Sequence, residues 1–175
     1  ILAVRLTVEG ELPADRTNEV YTSEEVLLTS PEDIVRTVKV VLYFPDQTGQ
    51  LVGEERRLTV YEGETIAQAV VKALTERLMD SYGGLDEPLL PAEFTALGAN
   101  TEGGTCYLNL PSSVTVLLPE DADAQNRMIQ GLVDSLCSLE GVEQVQLMLD
   151  GEYMLMLGSV PISRPLLPGS AAETA

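Results

Sequence analysis

Apolar and polar positions alternate along this chain with two different periods, and the switches between them outline the elements. Thr37–Phe44 has period two: Val38, Val40, Leu42 and Phe44 share one face, Lys39, Val41 and Tyr43 the other, and Pro45 stops the run. Arg56–Tyr61 follows a turn-rich connection, Asp46–Gly53, so the two runs predict an antiparallel hairpin. The period then becomes helical. Ile66, Val70, Ala73, Leu74 and Leu78 form one stripe behind a Thr65-x-x-Gln68 capping box, and the helix is expected to end near Met79. Residues 80–91 read as a loop. Phe94–Gly98 and Thr105–Leu110 read as short strands around Gly103-Gly104.

Pro119-Glu120-Asp121 has the composition of a helix start, and a second helix is expected to run to about Leu139. Met128, Ile129, Leu132, Val133 and Leu136 face inward, and Gly141 is placed for a C-terminal cap. Gly131 weakens this helix by about 1 kcal/mol relative to Ala, which suggests a close helix–sheet approach. Val142–Leu149 alternates again, Asp150-Gly151 is a strong hairpin turn, and Tyr153–Leu157 reads as the returning strand. Pro, Gly, Ser and Ala dominate from Pro161, which predicts fraying. Each helix has one apolar stripe and several strands have one apolar face. The expected fold class is therefore α+β, a mostly antiparallel sheet with two helices packed on one face.

The first 36 residues differ, with eight acids against Arg5, Arg16 and Arg36. Leu2–Val8 and Val26–Thr29 are candidate short strands of an acidic arm, residues 1–37, that pairs onto the main domain's edge or stays loose. Residues 38–167 form the expected domain and 168–175 a disordered tail.

Charge and composition then narrow the function. The 175 residues carry 28 Asp+Glu against 10 Lys+Arg and no His, a formal charge of −18. Such a balance excludes nucleic acid as a partner, because that affinity comes from Lys and Arg neutralising phosphates. It equally disfavours electrostatic docking on anionic lipid. Without His there is no Ser-His-Asp or Cys-His nucleophile and no His-ligated zinc. No Trp is present, and no run of about 18 apolar residues suggests a membrane span. The chain opens on Ile1 rather than Met, which reads as a trimmed or processed start behind a signal peptide or lipid anchor.

Carboxylates remain as reactive groups, but nothing marks Asp46, Glu93 or Asp150 as a raised-pKa acid. Asp86-Glu87 and Glu120-Asp121-x-Asp123 lack the calcium-loop pattern. Cys106 and Cys137 favour buried free thiols over a disulfide. No catalytic residue, cofactor or metal is expected. The candidate functional feature is a surface: Tyr43, Tyr107, Asn109, Gln146 and Met148, with Val41 and Gln144, fall on the strand faces turned away from the apolar ones. An uncharged aromatic face on so acidic a chain suits a contact surface, or else is covered by residues 1–36.

The motifs in order resemble the sporulation and spore germination (GerM) domain family. Val40-Val41-Leu42-Tyr43-Phe44 stands for its "v-lyF" strand and Leu51-Val52-Gly53-Glu54-Glu55-Arg56 for "L-x-x-E-x-R". Tyr107-Leu108-Asn109-Leu110 replaces "V-D-L-S". Leu132–Leu139 followed by Val142-Glu143-Gln144-Val145 continues the likeness, and Leu149-Asp150-Gly151-Glu152 matches the "v-d-G" turn. The chain departs from the pattern at Leu78–Gly84, where "L-L-x-G-P" is usual, at Asn109 for Asp, and at Pro111.

The resemblance implies a fold similar to ring-building-motif domains and no catalytic residues. Glu54, Arg56, Asp150 and Gly151 match as structural positions. It further implies an extracytoplasmic, membrane-anchored lipoprotein of a Gram-positive spore former, with the membrane reached only through a removed N-terminal anchor. The expected function is a non-catalytic protein-interaction domain of the cell envelope in sporulation or germination. Its expected partners are other envelope or sporulation proteins, or further copies of itself. The alternatives are a receptor for a cell-wall peptide or glycan, and after that a carboxylate-based hydrolase.

Overall fold

The computed structural model describes residues 3–4, 21–22, 35–46, 48–76 and 88–169. The chain divides into two units, one of Ile1–Arg36 with Tyr61–Gly63, the other of Thr37–Val60 with Glu64–Ala175. In the first, β1 (Ala3–Val4) pairs antiparallel with β2 (Tyr21–Thr22). The expected strand at Val26–Thr29, the loop from Asp80 to Glu87 and the tail beyond Gly169 lie outside the described residues.

The expected hairpin is β3 (Val35–Pro45) with β4 (Leu51–Tyr61). Its turn is fastened by Asp46, whose Oδ1 accepts from Thr48 N, Thr48 Oγ1 and Gln50 N at 2.7–2.9 Å. Val40, Leu42, Phe44, Leu58 and Val60 are buried, as the period-two reading requires. The Glu and Arg of the L-x-x-E-x-R motif pair along one face of β4, Arg56 Nη2 to Glu54 Oε2 at 2.6 Å. On the outer face the Tyr43 ring lies over Gly53, where an added Cβ would meet it at 3.0 Å.

Helix α1 (Ile66–Leu74) starts on the expected capping box: Thr65 Oγ1 accepts from Gln68 N at 3.2 Å and Gln68 Oε1 accepts from Thr65 N at 3.0 Å. It is shorter than its stripe suggested, because the chain turns at Thr75 and Leu90 N takes up the Leu74 carbonyl. Leu78 is outside the described residues. Strand β5 (Gly98–Glu102) begins where the first expected strand was to end; Phe94 instead enters the core from a turn. β5 pairs antiparallel with β6 (Thr105–Leu110) across Gly103-Gly104, both at positive φ.

A 3₁₀ segment, Ser112–Leu117, and helix α2 (Ala122–Cys137) then carry the chain back, so that β7 (Gln144–Leu149) lies parallel to β6. Neighbouring strands joined through a helix run parallel because the crossover returns the chain to its starting end. Asp121 Oδ2 caps α2 by accepting from Ala124 N at 2.8 Å, and Gly141, at φ +80°, ends the turn that follows. The inner sheet face, with Cys106, Leu108, Leu110, Val145 and Leu147 at 0% exposure, packs beneath α1 and α2. The fold is α+β with a mixed sheet. Gly131 does mark a close approach: an added Cβ would sit 2.7 Å from Leu89 Cδ2 and 3.1 Å from Leu51 Cδ2.

The C-terminal stretch corrects two expectations. The Asp150-Gly151 turn forms, but pairing stops at the single Leu149–Glu152 bridge, so Tyr153–Leu157 is not a returning strand. The free edge of β7 goes instead to Leu166, whose N–H and carbonyl both bond Val145. β8 (Met156–Leu157) and β9 (Val160–Pro161) make their own small hairpin. Fraying from Pro161 is therefore also corrected, since Ile162 is buried in the main core and Leu166 packs against it.

Candidate functional site

The five residues expected to form one outer surface are only partly brought together. The register of β6 and β7 sets Tyr107 opposite Gln146 and Asn109 opposite Met148, so these four share a sheet face. Tyr43 belongs to the β3–β4 sheet, where Tyr43 N donates to Ser135 Oγ on α2 at 2.9 Å. Gln146 is not a surface residue. It is 3% exposed, and its Nε2 donates to the Ile162 carbonyl at 2.8 Å, so the C-terminal stretch itself covers it. Asn109 accepts from Gly151 N at 2.7 Å and so anchors the Asp150-Gly151 turn, a task that an Asp carboxylate at this position could also perform. Tyr107 and Met148 are half-buried.

An exposed apolar feature appears where the sequence reading had placed a strand. Tyr153, Met154, Leu155 and Met156 are all exposed, Tyr153 at 64% and Leu155 at 77%. Hydrogen bonds hold both ends of the run. At one end Asp150 N donates to the Leu110 carbonyl and Gly151 N to Asn109. At the other, Gln125 Oε1 accepts from Ser159 N at 2.7 Å and from Ser159 Oγ at 2.8 Å. Gly158 there has φ +60° and no room for a Cβ, because Leu118 Cδ1 would lie 2.7 Å away. The 3₁₀ segment is tied to the turn that starts the run, Ser112 N donating to Asp150 Oδ1, and it carries Val116 at 81% exposure. Exposed large apolar side chains gathered in one stretch are candidates for a contact site. One sequence signal was available: four large apolar residues in a row have no polar face, unlike a half-buried strand.

A cleft of about 460 Å³ opens elsewhere, walled by Pro45, Pro88, Leu89, Pro91 and Met128, with Arg127 the one charged residue among the described residues that line it. Arg127 Nη1 donates to the Gly49 carbonyl at 3.3 Å. Apolar walls with a single cation suit an apolar anion better than a sugar, which needs several hydrogen-bonding partners.

Among the described residues the titratable groups with shifted acidity are not shifted toward reactive forms. Hydrogen bonds from the Thr48 side chain and the Gln50 backbone hold the Asp46 carboxyl below its usual range, the opposite of what a general acid needs. Both cysteines are free. Burial pushes the Cys106 thiol up, and burial with Asp134 and Cys106 nearby pushes Cys137 to about 11, away from the thiolate a nucleophile requires. The Asp121 carboxylate is engaged in capping α2, and Asp86-Glu87 lies outside the described residues. Among the described residues no cluster of three or more His, Cys, Asp or Glu could hold a metal. No helix among them is long and apolar enough to cross a membrane.

The fold is shared with solved structures. The first GerMN domain of the sporulation protein GerM from Bacillus subtilis superposes with a TM-score of 0.56 at 20% identity, covering 74% of this chain and 97% of that one. The tandem GerMN domains of the same protein give 0.55 at 19% identity, covering 75% of this chain and 46% of that one. A putative lipoprotein from Clostridium perfringens gives 0.48 at 15% identity, covering 81% and 93% of the two chains. No curated protein matches by sequence. The profile of the Germane family, described as sporulation and spore germination, matches residues 41–154. That span takes in the v-lyF strand, the Glu54–Arg56 pair, both helices and the Asp150-Gly151 turn, and this chain belongs to the sporulation and spore germination family.

Proposed function

We propose that this chain is a non-catalytic protein-interaction domain of a bacterial cell-envelope protein acting in sporulation or spore germination. The family supplies the setting. The observation that carries the mode of action is the run Tyr153–Met156, held in water between two hydrogen-bonded turns. Such a run is costly to keep exposed, and contact with another protein explains its retention. The chemistry agrees: His is absent from the whole sequence, and both thiols are pushed away from the nucleophilic form.

Incubation of the protein with peptidoglycan fragments tests this reading. No turnover is expected, and a reproducible rate abolished by replacing one acid would refute it. Extracytoplasmic placement on a lipid anchor belongs to the same proposal. It is checked in the precursor gene, where a signal peptide ending in a lipobox Cys is expected.

The cleft beside Arg127 supports a second reading, a binding module for a small apolar anion. Equilibrium dialysis of the protein against a medium-chain fatty acid separates the two: saturable binding lost in Arg127→Gln favours the module.

A further inference from the structure

The geometry points to a basic, apolar-lined protein surface as what docks on Tyr153–Met156 and Val116. This inference rests on the interaction reading above and adds the chemistry of the partner. Val116 belongs to the 3₁₀ segment that is tied to the Asp150 turn through Ser112 N and that leads to Leu118, which reaches Gly158. The family match, residues 41–154, ends within the run, and the β8–β9 hairpin continues from it.

Charge selects the occupant. Asp150 and Glu152 are exposed on the strand-end turn that starts the run. Glu120, Asp121 and Asp123 are exposed at the start of α2, beside the Pro119 carbonyl that Gln125 ties to the Ser159 turn. From Leu78 to the C-terminus the sequence holds fourteen acids and only Arg127 and Arg164 as bases. An apolar run with exposed carboxylates at both anchors, and Arg164 the one base on the segment that follows, repels a second copy of the same acidic chain and an anionic bilayer alike. It is complementary to an apolar pocket bordered by Lys or Arg, which would also steer the encounter.

The experiment titrates the full chain with a synthetic amphipathic Lys/Leu peptide and with its Glu/Leu counterpart. It compares the parent with Tyr153→Ser/Leu155→Ser, with Val116→Ser and with Glu152→Lys. Saturable binding of the Lys/Leu peptide is expected, weakened at least about tenfold in the double variant and severalfold in each single one, with thermal midpoints unchanged. The Glu/Leu peptide should not bind the parent. Equal affinity in parent and double variant would overturn the inference, since binding would then follow bulk charge. Val116→Ser keeps the test valid if the double variant unfolds. A concentration-dependent dimer in sedimentation that disappears in Leu155→Ser would put a second copy on the patch and overturn it. Flotation with phosphatidylglycerol vesicles, lost in the double variant, would put lipid there and overturn it too. These failures leave the peptidoglycan result untouched, so the partner chemistry and the non-catalytic reading fail separately.

Discussion

Replacing Ser135 by Ala should loosen the attachment of the β3–β4 hairpin to the rest of the domain. Strand β3 pairs with β4 along one edge, and among the described residues no strand pairs with its other edge. Two serines of the α2 region meet that edge instead. Ser135 Oγ, at 0% exposure, accepts from Tyr43 N at 2.9 Å while donating to the Gly131 carbonyl at 2.6 Å. Ser138 Oγ accepts from Val41 N at 3.2 Å and lies 2.9 Å from the Val41 carbonyl. Alternate residues of the strand thus bond hydroxyls one helical turn apart, as they would bond a neighbouring strand.

Ser135→Ala leaves the Tyr43 amide without its acceptor, which costs about 1–3 kcal/mol for a buried donor. Ala returns about 0.5 kcal/mol in helix propensity, so a net loss of about 1–2 kcal/mol is expected. For a domain of this size that corresponds to a fall in the thermal midpoint of roughly 2–8 °C. Urea unfolding followed by tyrosine fluorescence and far-UV circular dichroism gives the free energy, and amide exchange at Tyr43 should accelerate selectively. Ser138→Ala is the internal control: Ser138 is exposed, so water replaces its hydroxyl and the loss should stay under about 0.5 kcal/mol. Equal stability of the two variants, with Tyr43 exchange unchanged, would refute the edge-docking role.

Three further outcomes are expected. Cys137 has a thiol pKa raised to about 11, so its contribution to stability is fully present below the unfolded thiol's value near 8.5 and is lost as pH rises towards the folded one. Urea midpoints at neutral and alkaline pH should diverge less in Cys137→Ala than in the parent, and an unchanged divergence would contradict the shift. Gln146→Ala should destabilise by about 1–3 kcal/mol, since it removes the donor to the Ile162 carbonyl, and should open residues 160–166 to proteolysis; resistance equal to the parent would show that Gln146 does not hold them. Tyr107→Glu should leave the thermal midpoint nearly unchanged if the half-buried ring belongs to a contact surface, whereas global unfolding would assign Tyr107 to the core.

What the sequence made legible was local. The capping box at Thr65 and Gln68, the inward stripe Met128–Leu136 and the turn residues Gly103-Gly104 and Asp150-Gly151 each depend on neighbours a few positions away. What it hid was pairing over distance. Whether β7 joins β6 parallel or returns along a hairpin depends on how α2 crosses the sheet, which no period along the chain encodes. Gln146 looked like a surface residue because its alternation was right; it is buried because Ile162, 16 positions later, supplies a carbonyl to it. Ile162 and Leu166 sit among Ser and Pro, so composition disguised residues packed in and against the core as a frayed tail.

The same reasoning accounts for the exposed run. A strand continuing from Glu152 along β7 would have given Tyr153–Met156 a partner edge and a buried face. Leu166 occupies the Val145 end of that edge, and Leu157 must turn inward with Val160 to fill the core beside α2. Gln125 fixes that turn, so the four residues between the two anchors cannot fold back without breaking the Ser159 or the Gly151 hydrogen bonds. The apolar run is exposed because the C-terminal segment takes the places it would have filled.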